Sequence, residues 1–425
     1  MEQADITQMD SDLPGNKLND FNTRRWFIIA FSIFLAAGIL GLTMRYIFIG
    51  EVPFLKYQNV MHTHSHIALM GWAFMLVSGG IIYFFNEELH LGKVIRNTLF
   101  LNTISVIGMT ITFILQGYAF ESIAFSTLHL VVAFYFGINV LRKLKSSQKS
   151  TSHRFLRWSI YWYMLSSLGL LAIGPVSSML GQLHPLYSGS IQFFLHFQFN
   201  GWFTFGALAL VFKFIEDRDH NVYFSTPIWI VLITSVLLTY LLSVTWSTPL
   251  DVLFYLNAAG VVLQGIAYGS ILNQIIKHLK SIKFNFPLVR TLIILGLGSL
   301  TIKVIIQMAV VIPFIAVISY TIHNYVVAFI HLIMLGSITF TIAALLVNES
   351  ALPYNKTAIY GWSILAFGFI LTEFILFGQG TLLWIKFGFI PGYYEVLFGS
   401  STLLPIGIAL ILLSFRRKRV LKTTG

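Results

Sequence analysis

The chain of 425 residues contains no cysteine and little charge, with Asp, Glu, Lys and Arg together making up only 10% of it. Without cysteine there are no disulfides, iron–sulfur clusters, thiolate-ligated heme or thiol catalysis, so any metal must be held by His, Met, carboxylate or backbone. The shortage of charge argues against a soluble globular domain, where about one quarter of residues are charged. The 27 basic residues outnumber the 16 acidic ones, for a net charge of +11. A nucleic-acid partner is not implied, because the cations sit in short loops between apolar segments rather than on a folded polar surface.

What is present is apolar residue, 56% of the chain. Stretches of about 20 residues or more, the length that crosses a hydrocarbon core of about 30 Å, recur from Trp26 almost to the C-terminus. They show no strand-like alternation, and in lipid every backbone group must be satisfied internally, so helices are expected rather than a barrel. The spans read as 25–48, 60–85, 95–117, 122–143, 155–179, 188–215, 226–246, 251–277, 288–315, 322–347, 357–379 and 396–415. The expected fold is all-α, a polytopic membrane protein of about 12 transmembrane helices in three quasi-repeated four-helix units. The transmembrane domain covers 25–415, preceded by a polar tail, 1–24, without the apolar core of a signal peptide, and followed by a basic tail, 416–425.

The loop cations report topology. Arg24 and Arg25, the run Arg142-Lys143-Leu144-Lys145 with Lys149, Arg154 and Arg157, then Lys277, Lys280, Lys283 and Arg290, and finally Arg416 to Arg419 all fall on one side when helices are counted in order. By the positive-inside rule both tails are cytoplasmic, as in a bacterial-type inner membrane. The last outer loop, about 380–395, is aromatic and suits the headgroup level.

One short pattern occurs three times: His66 to Gly71-Trp72, His196 to Gly201-Trp202, and His331 to Gly336-Ser337. The separations are 130 and 135 residues, four helices each, which places the copies in helices two, six and ten. All three histidines lie about 9–15 Å below the outer boundary at a rise of 1.5 Å per residue. His129 in helix four reaches a comparable depth. Helix two adds His62 and His64; at 100° per residue His62 shares a face with His66 while His64 points nearly opposite. The glycines read as close helix-packing points.

Ionisable residues inside a membrane are costly and usually functional, and neutral imidazole is the commonest metal ligand. The set His62, His64, His66, His196 and His331 therefore reads as a heme or metal site, with His196 and His129 as the metal candidates. Histidines on separate helices of a wide apolar bundle rich in Phe (39) and Tyr (18) suit a planar macrocycle with axial imidazoles. His90, His153, His184, His220, His278 and His323 fall in loops or at helix ends and read as solvated. Lys303 and Glu373, charged within spans nine and eleven, read as a mutual pair or a proton route. Arg45 and Lys56 are candidates for holding heme propionates, with interfacial snorkelling the competing reading.

The segment Met61-His-Thr-His-Ser-His-Ile-Ala-Leu-Met-Gly-Trp72 resembles stretches of subunit I of the heme-copper oxidase superfamily, in particular its nitric oxide reductase and cbb3-like branches. The resemblance implies twelve helices in three groups of four, heme b held by His66 and His331 as an axial pair, and a copper ligand at His196. It also implies partner subunits and a cytochrome c or quinol as electron donor. The segment Thr226–Trp246 has no histidine where oxygen-reducing members carry a pair, so a complete heme-copper binuclear centre is not expected. The functions in view are respiratory electron transfer or nitric oxide/oxygen binding, with oxidoreductase activity left open. The alternatives are a heme- and copper-containing nitric oxide response protein of the NnrS type and a proton-coupled transporter.

Overall fold

The computed structural model describes residues 22–144, 150–218 and 221–416. Most of both tails, His220, Lys145, Lys149 and Arg417 to Arg419 lie outside the described residues.

Eleven long apolar helices cross the bundle: α1 Thr23–Tyr46, α2 Tyr57–Leu89, α3 Gly92–Gln116, α4 Phe120–Lys143, α5 Thr151–Leu180, α7 Thr226–Thr245, α8 Asp251–Leu279, α9 Pro287–Ala309, α10 His323–Asn348, α11 Lys356–Trp384 and α12 Tyr393–Ser414. A twelfth, α6, runs over 185–216 in three joined pieces, Pro185–His196, Phe197–Phe203 and Thr204–Glu216. It carries His196, Gln198 and Asn200 in mid-span, more polar than its neighbours, and its residues from His196 to Ile215 are almost all buried. Packing on every side shields those polar groups from lipid, which is how so polar a span is tolerated.

Among the apolar spans, α2 and α10 are the innermost, with 78% and 83% of their apolar windows buried against 22–56% for the others. With α6 they form the centre. A Cβ on Gly80 of α2 would meet Leu210 of α6 at 2.5 Å and Ile342 of α10 at 3.5 Å, so Gly80 marks where the three helices converge. Trp72 of α2 donates to Thr339 of α10 at 3.3 Å. An even number of crossings puts both chain ends on one face of the bundle, called here the termini face. There Arg24 donates to the Phe415 carbonyl at 3.0 Å.

Several boundaries differ from those read in the sequence. Helix nine ends at Ala309, and a separate short helix, Pro313–Thr321, follows before α10. Pro313 cannot continue the ladder but suits a first helical turn. The aromatic loop shrinks to 385–392 because α11 extends to Trp384. Gln379 pins this loop, donating to the Gly388 carbonyl and accepting from the Ile390 amide.

His153, expected in a solvated loop, is buried at the termini face. Its Nε2 bonds Glu88 of α2, and Glu88 also accepts from Lys213 of α6 at 2.7 Å. Lys213 in turn reaches Asp217. This latch joins the first and second four-helix units with every charge partnered.

Candidate functional site

The threefold pattern extends from side chains to backbone. Directly after each repeat histidine the helix widens into a π turn: Ile67–Ala73 after His66, Phe197–Phe203 after His196 and Leu332–Thr339 after His331. A π turn lets one more residue into the ladder and recurs at functional sites. Two of the three are closed the same way, by a threonine eight residues past the histidine. The hydroxyls of Thr204 and Thr339 donate to the carbonyls of Phe199 and Met334, five residues back. The repeat glycines take equivalent close contacts, since a Cβ on Gly71 would meet Ile33 of α1 at 2.6 Å, one on Gly201 Trp162 of α5 at 2.4 Å, and one on Gly336 Ser299 of α9 at 2.5 Å.

The histidines of α2 divide between two sides of that helix. His64 faces α1, where its Nδ1 lies 2.8 Å from the Ala37 carbonyl and so carries the proton, leaving Nε2 as a free lone pair. Its ring lies over Gly41, where a Cβ would come within 2.9 Å of the imidazole. His64 and Arg45 are close enough to act electrostatically on His331 of α10. His331 directs its Nδ1 at Glu373 of α11, 3.9 Å away, beyond hydrogen-bond reach. That Nδ1 and both Glu373 oxygens are buried without a hydrogen-bond partner. Arg45 closes the cluster from the end of α1, donating to the Ser401 hydroxyl of α12.

On the opposite side of α2, His66 and His62 face α3 and α4. The His66 Nδ1 bonds the His62 carbonyl at 2.8 Å and its ring packs on Phe113 at 4.3 Å. The Tyr118 hydroxyl lies 3.3 Å from His66 Nε2. The His66 Nδ1 carries the ring proton toward the His62 carbonyl, so Nε2 accepts and the Tyr118 hydroxyl donates. His62 meets the same tyrosine edge-on at 4.6 Å. His129 pairs its Nδ1 with Asn102 at 2.7 Å and sets its ring against Phe74.

The third region surrounds α6. His196 Nε2 bonds the Val236 carbonyl of α7 at 2.8 Å, and its Nδ1 lies 3.4 Å from the Asn200 amide nitrogen. Lys303 of α9, 1% exposed, donates to the Asn200 carbonyl oxygen at 2.7 Å and sits 5.5 Å from the Tyr268 ring centre. Lys303 and Glu373, for which the sequence offered a mutual pair or a proton route, therefore occupy separate clusters. The helix that carries His331 packs against both α9 and α11 and stands between them.

These arrangements decide what each site can hold. Metal-ligating imidazoles characteristically tie one ring nitrogen to a carbonyl or carboxylate and offer the other. His64 has that form through Ala37, and Glu373 faces the Nδ1 of His331 without reaching it, so the pair would suit a macrocycle held by two imidazoles. Arg45 adds a cation beside them for an acidic substituent. His66 does not have that form, because Tyr118 takes its second nitrogen. Copper does not fit at His196, whose two ring nitrogens are both engaged beside an ammonium group, and α7 supplies no further imidazole. Lys56 is exposed at the start of α2 and His323 at the start of α10.

Sequence reasoning passed over Asn200, Asn102, Tyr118 and Ser401, whose roles rest on contacts between distant helices. It also passed over Asn257, Gln264 and Tyr268 of α8, although polar residues at spacings of seven and four in an apolar span are a readable sign of an inward face.

The chain shares its fold with a heme-copper terminal oxidase solved by electron cryo-microscopy. The TM-score is 0.64 at 13% sequence identity, over 95% of this chain and 85% of that one. At that identity the likeness establishes the fold and leaves the chemistry to the residues. No protein-family model matches the chain, and no curated protein sequence does.

Proposed function

We propose that the chain is a membrane heme protein of an electron-transfer system, in which His64 and His331 are the residues that would hold a b-type heme. The observation that carries this is the matched pair of second contacts. Ala37 holds the Nδ1 proton of His64, Glu373 faces the Nδ1 of His331, and neither Nε2 has a hydrogen-bond partner among the described residues. His66 gives way to His64 as the partner of His331 because it lies on the other side of α2 and is occupied by Tyr118.

The bound heme would supply reversible one-electron chemistry or diatomic-gas binding. The protein's part is to fix both imidazole planes, to place the Glu373 carboxyl behind one of them, and to set Arg45 where a propionate would sit. A carboxylate behind a ligating histidine strengthens it as a donor. Gly41 leaves room for the His64 ring, which a larger side chain would displace. The lysine near His196 speaks against a second, copper-containing centre, so oxygen reduction of the oxidase kind is not proposed.

The loop cations favour cytoplasmic termini in a bacterial-type inner membrane, which puts this site in the outer half of the bilayer. A cytochrome c or a quinol is the class of donor that reaches such a site, with partner subunits supplying any docking domain. Within the oxidase superfamily, the nitric oxide reductase and cbb3-like branches remain the proposed relatives on the strength of the Met61–Trp72 segment. The transporter reading lost its main support when Lys303 and Glu373 fell into separate clusters.

The test is a reduced-minus-oxidised spectrum of the detergent-purified protein after heme-replete expression. A Soret band is expected, lost in His64→Ala and in His331→Ala and kept in His66→Ala. No band at all, or one that survives both of the first two substitutions, overturns the proposal. Copper analysis of the same sample separates it from the NnrS-type alternative.

A further inference from the structure

Four side chains of α8 and α9 leave six buried polar atoms without hydrogen-bond partners among the described residues: Asn257 Nδ2 and Oδ1, Gln264 Nε2 and Oε1, the Tyr268 hydroxyl and Gln307 Oε1. They belong to one inward face. On α8, positions 257, 264 and 268 fall within about 40° of one another at 100° per residue. That face is bracketed by close contacts: Gly260 against Leu238 and Thr239 of α7, and Gly265 against Met308 of α9. The polar face therefore opens between α7 and α9. The contact of Gly265 with Met308 puts Gln264 and Gln307 within about one turn of each other along the bundle, and Tyr268 lies one turn deeper beside Lys303. Below them Lys303 donates to Asn200, whose amide nitrogen lies beside His196. At the opposite end, on the face away from the termini, a surface cavity of about 260 Å³ is lined by Asp251, Phe254, Tyr255, Pro313, Phe314 and Val317. Asn257 lies one turn below Phe254.

The unpartnered atoms include donors and acceptors in similar number. An anion would suit the amide N–H groups and repel the three carbonyl oxygens, whereas water satisfies both. Lys303 is a buried ammonium with no carboxylate within ion-pair distance among the described residues, so it needs either a proton exchange partner or a solvated path. We propose that Asn257, Gln264, Gln307 and Tyr268 line a water-filled column through which Lys303 exchanges its proton with the aqueous phase on the face away from the termini. The titratable groups that face this column are Lys303 of α9, Tyr268 of α8, His196 of α6 with Tyr240 of α7 beside it, and Asp251 and Tyr255 at the mouth. The column does not depend on heme at His64 and His331.

The absence of native cysteine makes the test direct. Single variants Asn257→Cys, Gln264→Cys and Lys303→Cys in sealed, orientation-sorted vesicles are exposed to a membrane-impermeant methanethiosulfonate ammonium reagent from one side at a time. Phe314→Cys at the cavity is the accessible control, and Ile294→Cys on an exposed apolar face of α9 the lipid control. The three column thiols should react from the face away from the termini at least about tenfold faster than from the other side and than position 294, since only a hydrated thiol ionises readily. The rate at position 303 should follow the pH of that compartment. Adding Gln264→Phe should protect position 303 and leave position 257 reactive. Rates at 257 and 264 as slow as at 294 while 314 reacts, or equal labelling from both sides, overturn the proposal. Should Lys303→Cys fail to fold, positions 257 and 264 decide it alone.

Discussion

The histidines at the head of the π turns in α10 and α6 occupy equivalent places in two copies of one pattern, yet their surroundings differ in kind. Around His331 the polar groups are left incomplete: its own Nδ1 and both oxygens of Glu373 lack partners, and the neighbouring His64 keeps a free nitrogen. Around His196 both ring nitrogens are engaged and an ammonium group is already in place. A buried polar group without a partner costs about 1–3 kcal/mol, so an incomplete cluster persists where something else completes it. A chain can therefore repeat a backbone device and assign its copies different tasks by changing the residues one turn away.

That contrast can be broken from either side. The largest expected effect is on cofactor content: His331→Ala should lose nearly all bound heme, while His196→Ala should keep it, as read by the Soret absorbance per chain. Gly41→Val should approach the His331→Ala result, because a Cβ there already crowds the His64 ring and the larger side chain would drive it off. Next in size is a stability effect at the closed site. Asn200→Leu removes the bond to a buried ammonium and should destabilise the protein by about 3 kcal/mol. Lys303→Met should cost much less, and the double variant should recover most of the loss in a detergent thermal melt. At the open site, Glu373→Gln should lower heme affinity about tenfold or more and raise the midpoint potential, since a neutral amide no longer strengthens His331 as a donor. The smallest effect is Tyr118→Phe, which removes one hydrogen bond to His66 worth about 1 kcal/mol and should leave the heme spectrum unchanged.

The span count, the position of the repeat histidines along their helices and the sidedness of helix two were all legible, because each rests on local periodicity. His62 and His66 do share a side of α2 with His64 opposed, as 100° per residue requires. Which side faces His331 was not legible. It depends on α1 and α10 lying on one flank and α3 and α4 on the other, a matter of bundle order. Lys303 and Glu373 share a depth, which a sequence shows, but not an azimuth, which it hides. His153 looked solvated because its partner Glu88 lies 65 residues away at the end of another helix. The π turns left no local composition signal, so rotation counted through them in a sequence is off by one residue.

That last offset has a consequence for how each of the three central helices is phased. A π turn acts as a fixed clutch between two α-helical shafts. It sets the histidine-bearing half against one set of neighbours and the half beyond it, with Gly80, Leu210 or Ile342, against another. Removing a single residue from Ile67–Ala73, Phe197–Phe203 or Leu332–Thr339 would re-engage the shafts in register and turn one half about 100° against the other. One deleted codon in a turn would then do what no point substitution can. It would keep every side chain but one and point half of them at the wrong helix.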